Sequence, residues 1–209
     1  MRRGHKHEQA LKTRAALVRA AAEVFDQVGY HGAGINRILT TAGLTSGAMY
    51  FHFKSKEDLA RAVMLEQASD LRLPEEPRGL QQLVDVTLTL AAELQSNTLL
   101  RAGVRLAVDQ SGLAQSDDSA YDWWAERFHR ELVVARERGE LREEADEREF
   151  AEVLVVAFTG TQLKSQISAG WSDLPERIVS LWRYLLPGVA SADALASVRV
   201  DPKRSLDPV

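Results

Sequence analysis

Hydroxyl, aromatic and basic side chains crowd one short stretch of this chain, where Thr45, Ser46, Gly47, Tyr50, His52, Lys54 and Lys56 fall close together. Such side chains hydrogen-bond to base edges and pair with phosphates, which is the chemistry of nucleic-acid recognition. Other candidates are thinner. Gly29-x-x-Gly32-x-Gly34 has the glycines of a phosphate cradle but follows a helical pattern instead of a strand, and it lacks the P-loop lysine. His5-x-His7 could ligate a metal, yet it lies in an N-terminal arm expected to be mobile and has no third ligand nearby. Asp117-Asp118 and Glu143-Glu144 are paired only in sequence, and His129 reads as a solvent-facing or satisfied polar residue. No Ser/His/Asp arrangement is legible, and without cysteine there is no thiol nucleophile, disulfide or cysteine metal site. An enzyme, a metal centre and a cofactor are therefore not expected.

The elements around the first cluster are punctuated clearly. Ile35, Ile38, Leu39 and Ala42 recur at helical spacing and put one apolar stripe on a single face. Gly43 ends that helix in the left-handed conformation that glycine takes without steric penalty. Thr45 then caps a short helix on which Ser46, Gly47 and Tyr50 share a face while Leu44, Met49 and Phe53 supply the packing side. Ser55 caps a third helix, with Asp58 in its first turn opposing the positive helix end. Helix, glycine turn, short helix and capped helix within Gly34–Leu59 form the layout of a helix-turn-helix DNA reader, and small residues at the entering end let backbone approach DNA closely.

Composition is that of an ordinary globular protein, 45% hydrophobic and 27% charged over 209 residues. The net charge of −4 hides an asymmetry: residues 1–65 carry +5 and the remainder −9. A basic head neutralises phosphates and gains from counterion release, and an acidic body is repelled by DNA, so the molecule is oriented head-down. The longest strongly apolar run, Val153–Phe158, is far too short to span a bilayer, which points to a cytoplasmic protein without a membrane partner.

Beyond Leu65 the chain reads as helices throughout. Pro74-Glu75-Glu76-Pro77 marks a linker. Amphipathic segments follow near Leu80–Leu94 and Leu99–Val108, then a loop over Ser111–Ser119 and a long helix over about Ala120–Arg138, closed by Gly139. The next helix spans about Asp146–Ser168 and is apolar nearly all round, which implies burial on two sides. Asp173-Leu174-Pro175-Glu176 opens the last one, and the tail from Val198 is expected to fray. Two such terminal helices suggest an oligomer interface. Trp171 and Trp182 read as core.

The run Thr45-Ser46-Gly47-Ala48-Met49-Tyr50-Phe51-His52-Phe53 with Lys56, together with Thr13-Arg14-Ala15 and Ala20–Tyr30 upstream, resembles the DNA-binding signature of the TetR family of bacterial repressors. That resemblance implies an all-α fold with a DNA-binding domain over residues 1–56 and a ligand-binding and dimerisation domain over 57–209. It also implies a homodimer on a pseudo-palindromic operator, built by a four-helix bundle of the last two long helices of each subunit, with DNA contacts from Thr13, Arg14, Thr45, Ser46, Gly47, Tyr50, His52, Lys54 and Lys56. Leu100–Ala107, Trp123-Trp124 and Phe158-Thr159-Gly160-Thr161-Gln162 further resemble the γ-butyrolactone-receptor branch of Streptomyces and relatives. There a butanolide, butenolide or furan signal frees the operators of antibiotic-production genes. Matched positions put Gln67 and Thr161 against the ligand, with an indole from the long helix; of the adjacent pair, alignment from the helix start selects Trp124. The alternatives are a regulator responding broadly to drugs or antibiotics, and a helical metabolite-binding protein that keeps the head for structure only.

Overall fold

The computed structural model describes residues 2–109 and 120–204, with side chains from His7 onward. Ten helices run through them: α1 (Arg2–Gly32), α2 (Ile35–Ala42), α3 (Ser46–His52), α4 (Lys56–Glu66), α5 (Leu80–Glu93), α6 (Thr98–Asp109), α7 (Ala120–Glu137), α8 (Glu147–Ala169), α9 (Leu174–Val189) and α10 (Ala192–Ser197). Among the described residues there is no strand; one isolated bridge joins Leu141 to Ala190. No helix of these is long and apolar enough to cross a membrane. The Ser111–Ser119 loop expected from the sequence, with Asp117 and Asp118, lies outside the described residues.

Packing gathers the chain into two compact units, Met1–Leu71 with Asn97–Ala120, and Arg72–Ser96 with Tyr121–Val209. In the first, the head unit, apolar residues at helical spacing from α1, α2, α3 and α4 converge. Leu17, Phe25, Ile38, Met49, Leu59 and Val63 are fully buried, joined by Leu106 of α6. The expected caps are all present. Gly43 sits at φ 64, and the Gly43 and Leu44 N–H groups donate to the Thr40 and Leu39 carbonyls at the end of α2; Thr45 Oγ1 accepts from the Ala48 N–H, and Ser55 Oγ from the Asp58 N–H at 3.0 Å. One expectation fails here. The N-terminal arm is helical, forming the first third of α1, and Lys12 pairs with Glu8 one turn back at 2.7 Å.

In the second, the body unit, α5 is buried on nearly every side and packs against α9, which also packs on α8. Trp182 is fully buried and its indole N–H donates to Thr87 Oγ1 at 2.7 Å, so this ring is core, as its helical spacing suggests. The Pro74–Pro77 linker is tied down by buried charge. Glu131 of α7 accepts from the backbone N–H groups of Arg78 and Gly79 and from Gln82 Nε2, while Arg127 bridges Glu131 at 2.7 Å and the Pro74 carbonyl at 2.8 Å. A buried ion pair with its remaining valences satisfied in this way holds one backbone path rather than several. The tail is also held as far as Arg204, contrary to the fraying expected from Val198. Arg199 exchanges two hydrogen bonds with the Gln81 amide, and Arg204 forks onto Asp85 at 2.8 Å.

Gly170 and Trp171 turn α8 into α9 through two consecutive left-handed residues, with Trp171 Nε1 donating to Gln162, so Trp171 belongs to a turn rather than to the core. Asp173 closes this turn. Hydrogen bonds from Arg177 and Ser165 hold its carboxyl at a pKa of about 2, well below the ordinary value. A depressed pKa means stabilisation that is complete above the ordinary carboxylate range, at about pH 4, and is lost as pH falls toward 2. Urea denaturation at pH 5 and at pH 2.5 should therefore show a smaller acid loss for Asp173→Asn than for the wild type.

Candidate nucleic-acid interface

Helix α3 is short because its ends are set locally, by the Thr45 cap and by Phe53 in an extended conformation. Met49 and Phe53 anchor it in the head core, with Leu44 packed against the same cluster. The opposite face is free. Ser46, Gly47 and Tyr50 are exposed, and a Cβ added at Gly47 would meet nothing nearer than Thr45 Oγ1 at 4.0 Å. This is the face that the sequence assigned to base edges. Lys54 is exposed just beyond, its N–H donating to Asp58, and His52 is half-buried.

Two of the expected basic residues are more committed. Arg14 pairs with Glu66 at 2.6 Å and lies over the Phe53 ring, fixing α1 to α3 and α4; Thr13 beside it is half-buried. Lys56 donates to the carbonyls of Tyr30 at 2.9 Å and Ala33 at 3.1 Å, and its ammonium stands 4.2 Å from the Tyr30 ring centroid. Burial, with the Glu57 carboxylate nearby, raises the pKa of the Tyr30 phenol, so the ring stays neutral beneath the cation. One of three ammonium donors is left for an external phosphate. This internal role is not legible in the sequence, because it joins residues that lie 26 and 23 positions apart. A further residue passed over is Phe51. It is 78% exposed on α3, edge-on to His52, and its apolar ring can meet a thymine methyl group as polar neighbours cannot.

In the body unit, the two adjacent indoles differ. Trp123 is 51% exposed; Trp124 is half-buried, stacked at a tilt on the buried Phe128 ring and edge-to-face with Trp123. Thr161, half-buried on α8, spends its hydroxyl proton on the Ala157 carbonyl at 2.7 Å and keeps acceptor capacity. A groove of about 280 Å³ in this unit is lined by residues of α9, α10 and the tail, including Trp182 and Leu195, and by neither Trp124 nor Thr161. In the head unit, Gln67 caps the C-terminus of α4 and is only 4% exposed, with Oε1 unpaired among the described residues. It rests against α6 where Gly103 has no side chain; a Cβ there would fall 2.4 Å from Gln67 Cβ. Among the described residues no group of His, Asp and Glu side chains could hold a metal; His129 lies 4.0 Å from Glu126, and Glu144 faces Arg142.

Residues 17–63 match the profile of the bacterial regulatory proteins of the tetR family, and residues 78–191 that of the tetracyclin repressor-like C-terminal domain. The chain belongs to the TetR family. It is 37% identical to the A-factor receptor protein of Streptomyces griseus, over 96% of this chain and 72% of that one. Among solved structures it is similar to native TylP, a TetR regulator from Streptomyces fradiae, with a TM-score of 0.83, 38% identity and coverage of 94% and 95% of the two chains. It is also similar to a γ-butyrolactone receptor described as ArpA-like, with a TM-score of 0.69, 28% identity and coverage of 90% and 93%. As a TetR-family protein it is a DNA-binding repressor and not an enzyme, and it is related to the γ-butyrolactone receptors. Regulators of this family bind operator DNA and small-molecule ligands and act as dimers.

Proposed function

We propose that this chain represses transcription as a cytoplasmic homodimer on a pseudo-palindromic operator, and that a small γ-butyrolactone, butenolide or furan signal releases it to permit antibiotic or secondary-metabolite genes to be expressed. The observation that carries the DNA-binding half is the exposed Ser46–Gly47–Tyr50 face of α3 on a buried Met49–Phe53 anchor. Ser46, Gly47 and Tyr50 enter the major groove, with Thr45 and His52 at the ends of the helix, and Thr13, Arg14, Lys54 and Lys56 serve phosphates. The ligand class is supported by relatives named as an A-factor receptor and a γ-butyrolactone receptor. Gel-shift binding to DNA upstream of the protein's own gene tests both halves, with retardation lost when extract of the producing organism is added. Ligand and operator must weaken each other by the same factor, because the coupling free energy is shared.

Within the body unit Trp124 and Thr161 contact the ligand, and Gln67 keeps the role that its matched position gives it, on the strength of an unpaired buried acceptor. Apolar wall and few polar groups are what a site for a small lactone requires. Trp124→Ala should lose the ligand response while keeping operator affinity within a few-fold. Thr161→Val retains shape without the hydroxyl, so it should weaken polar ligands more than apolar ones. Ligand should quench or shift tryptophan emission in the wild type and in Trp123→Phe, and much less in Trp124→Phe. Loss of the signal in Trp123→Phe instead would make the exposed indole the contact; loss in neither would favour the broad-specificity regulator.

A further inference from the structure

Helix α1 is interrupted at Gly29, whose φ of 70° and ψ of 178° leave the helical region. In an unbroken helix the Tyr30 N–H would donate to the Asp26 carbonyl. Here both groups turn to α6 instead. Arg105 Nη1 donates to the Asp26 carbonyl at 2.6 Å, and the Tyr30 N–H donates to Asp109 Oδ2 at 3.0 Å. One turn earlier, Arg101 forks onto the Asp26 carboxylate at 2.8 and 3.1 Å. Arg101, Arg105 and Asp109 recur every four residues and so form one face of α6. Glycine is required at the break twice over, by the positive φ and because a Cβ would lie 2.8 Å from Asp109 Oδ2. The carbonyls of Tyr30 and Ala33 are held by Lys56, the first residue of α4. Residues 30–33 are thereby fixed by α6 through the Tyr30 N–H and by α4 through the Tyr30 and Ala33 carbonyls, and they lead directly into α2 and α3.

We propose that Arg105 and Asp109 are positioning residues for operator binding: they complete the hydrogen bonding of the α1 break and so set the pose of the α2–α3 reader without contacting DNA themselves. The break is otherwise a soft point. Without Asp109 the Tyr30 N–H has no helical acceptor, and residues 30–33 can rotate about Gly29, carrying the entry to α2 with them. An interaction of this strength matters more to DNA affinity than to folding, because the head core stays intact while the reading face loses its orientation.

This rests on the DNA reading proposed above, and the experiment separates the two. Wild-type protein is used to select a duplex from a random-sequence pool, and affinities for that duplex are measured by fluorescence anisotropy across a salt series, at a temperature where circular dichroism shows every variant folded. Failure of the wild type to enrich any sequence would overturn the DNA reading itself. With a duplex in hand, Asp109→Ala should bind about tenfold more weakly, the size expected for losing a charge-assisted hydrogen bond. Asp109→Asn, which keeps an oxygen for the Tyr30 N–H, should recover most of that loss. The slope of log affinity against log salt should equal that of the wild type in both. A folded Asp109→Ala that binds as tightly as the wild type overturns the proposal, and so does a slope reduced by about one, which would make these residues phosphate contacts. If Asp109→Ala does not fold, Arg105→Gln carries the same test, with several-fold weaker binding at unchanged slope as the expected result and unchanged binding as the contrary one.

Discussion

Replacing Val156 and Ile167 together with glutamate is expected to leave the subunit folded, convert the dimer to a monomer and reduce operator affinity by at least about a hundredfold. The reason lies in the spacing along α8. Val153, Val156, Gly160, Leu163 and Ile167 alternate steps of three and four, which lines them along one side of the helix. The four large ones are all exposed, Val156 to 72% and Ile167 to 76%, whereas Ala151, Leu154 and Val155 point into the body core. A Cβ at Gly160 would meet nothing, so the middle of the stripe is a notch that a second helix can enter. Tyr184 on α9 is 81% exposed as well. Aliphatic groups displayed at this spacing mark a surface that water does not normally cover, and the homodimer proposed above would lay α8 and α9 of a second copy against it. The double substitution brings four carboxylates to a two-fold interface, where burial and mutual repulsion both oppose association. Sedimentation velocity reads the mass, and anisotropy reads operator affinity, which falls because one head engages a single half-site. A double variant that still sediments as a dimer would put the interface elsewhere.

What the sequence disclosed and what it withheld divide along the range of the interactions. The caps at Thr45 and Ser55, the turn at Gly43 and the opening of α9 at Pro175 are local, so residue type and spacing were enough to place them. The exposed face of α3 was legible for the same reason: its packing partners, Met49 and Phe53, lie within one turn of it. Long-range commitments were not. Lys56 reads as a free basic residue until the fold brings the Tyr30 and Ala33 carbonyls to its ammonium. Arg101 and Arg105 lie in a segment that reads only as amphipathic, yet with Asp109 they face the Gly29 break of α1, and by packing α6 belongs with the head. The tail from Val198 looked unanchored because Gln81 and Asp85, which hold it, lie more than a hundred residues earlier. The DNA-reading elements could therefore be argued from one segment, whereas the parts that orient them had to await the tertiary structure.

Gly47→Leu should abolish sequence-specific binding while leaving the protein as stable as the wild type or slightly more so. The second residue of α3 is fully open on its outer side, with only Thr45 Oγ1 at 4.0 Å from the position a Cβ would take, so a larger side chain disturbs no neighbour in the head. Leucine is also the better helix former, by roughly 0.5–1 kcal/mol at an exposed position. The same openness is what the bound state uses up. A helix entered into the major groove by its N-terminal residues must bring the Ser46–Gly47 backbone close to base edges, and an isobutyl group there holds the helix back by several ångströms, beyond hydrogen-bond reach for Ser46 and Tyr50 alike. Phosphate contacts tolerate that displacement better than base contacts do, since charge attraction falls off slowly with distance. Specific affinity should therefore collapse toward the non-specific level, a loss of about 10³-fold or more, while weak, salt-sensitive binding to unrelated DNA persists. Gly47→Ala, which adds only a methyl group, should fall between the two. Competition binding with specific and unrelated duplexes, beside thermal melts of the three proteins, measures both sides. Retained discrimination in a folded Gly47→Leu protein would place the reading face elsewhere than on the N-terminal turn of α3.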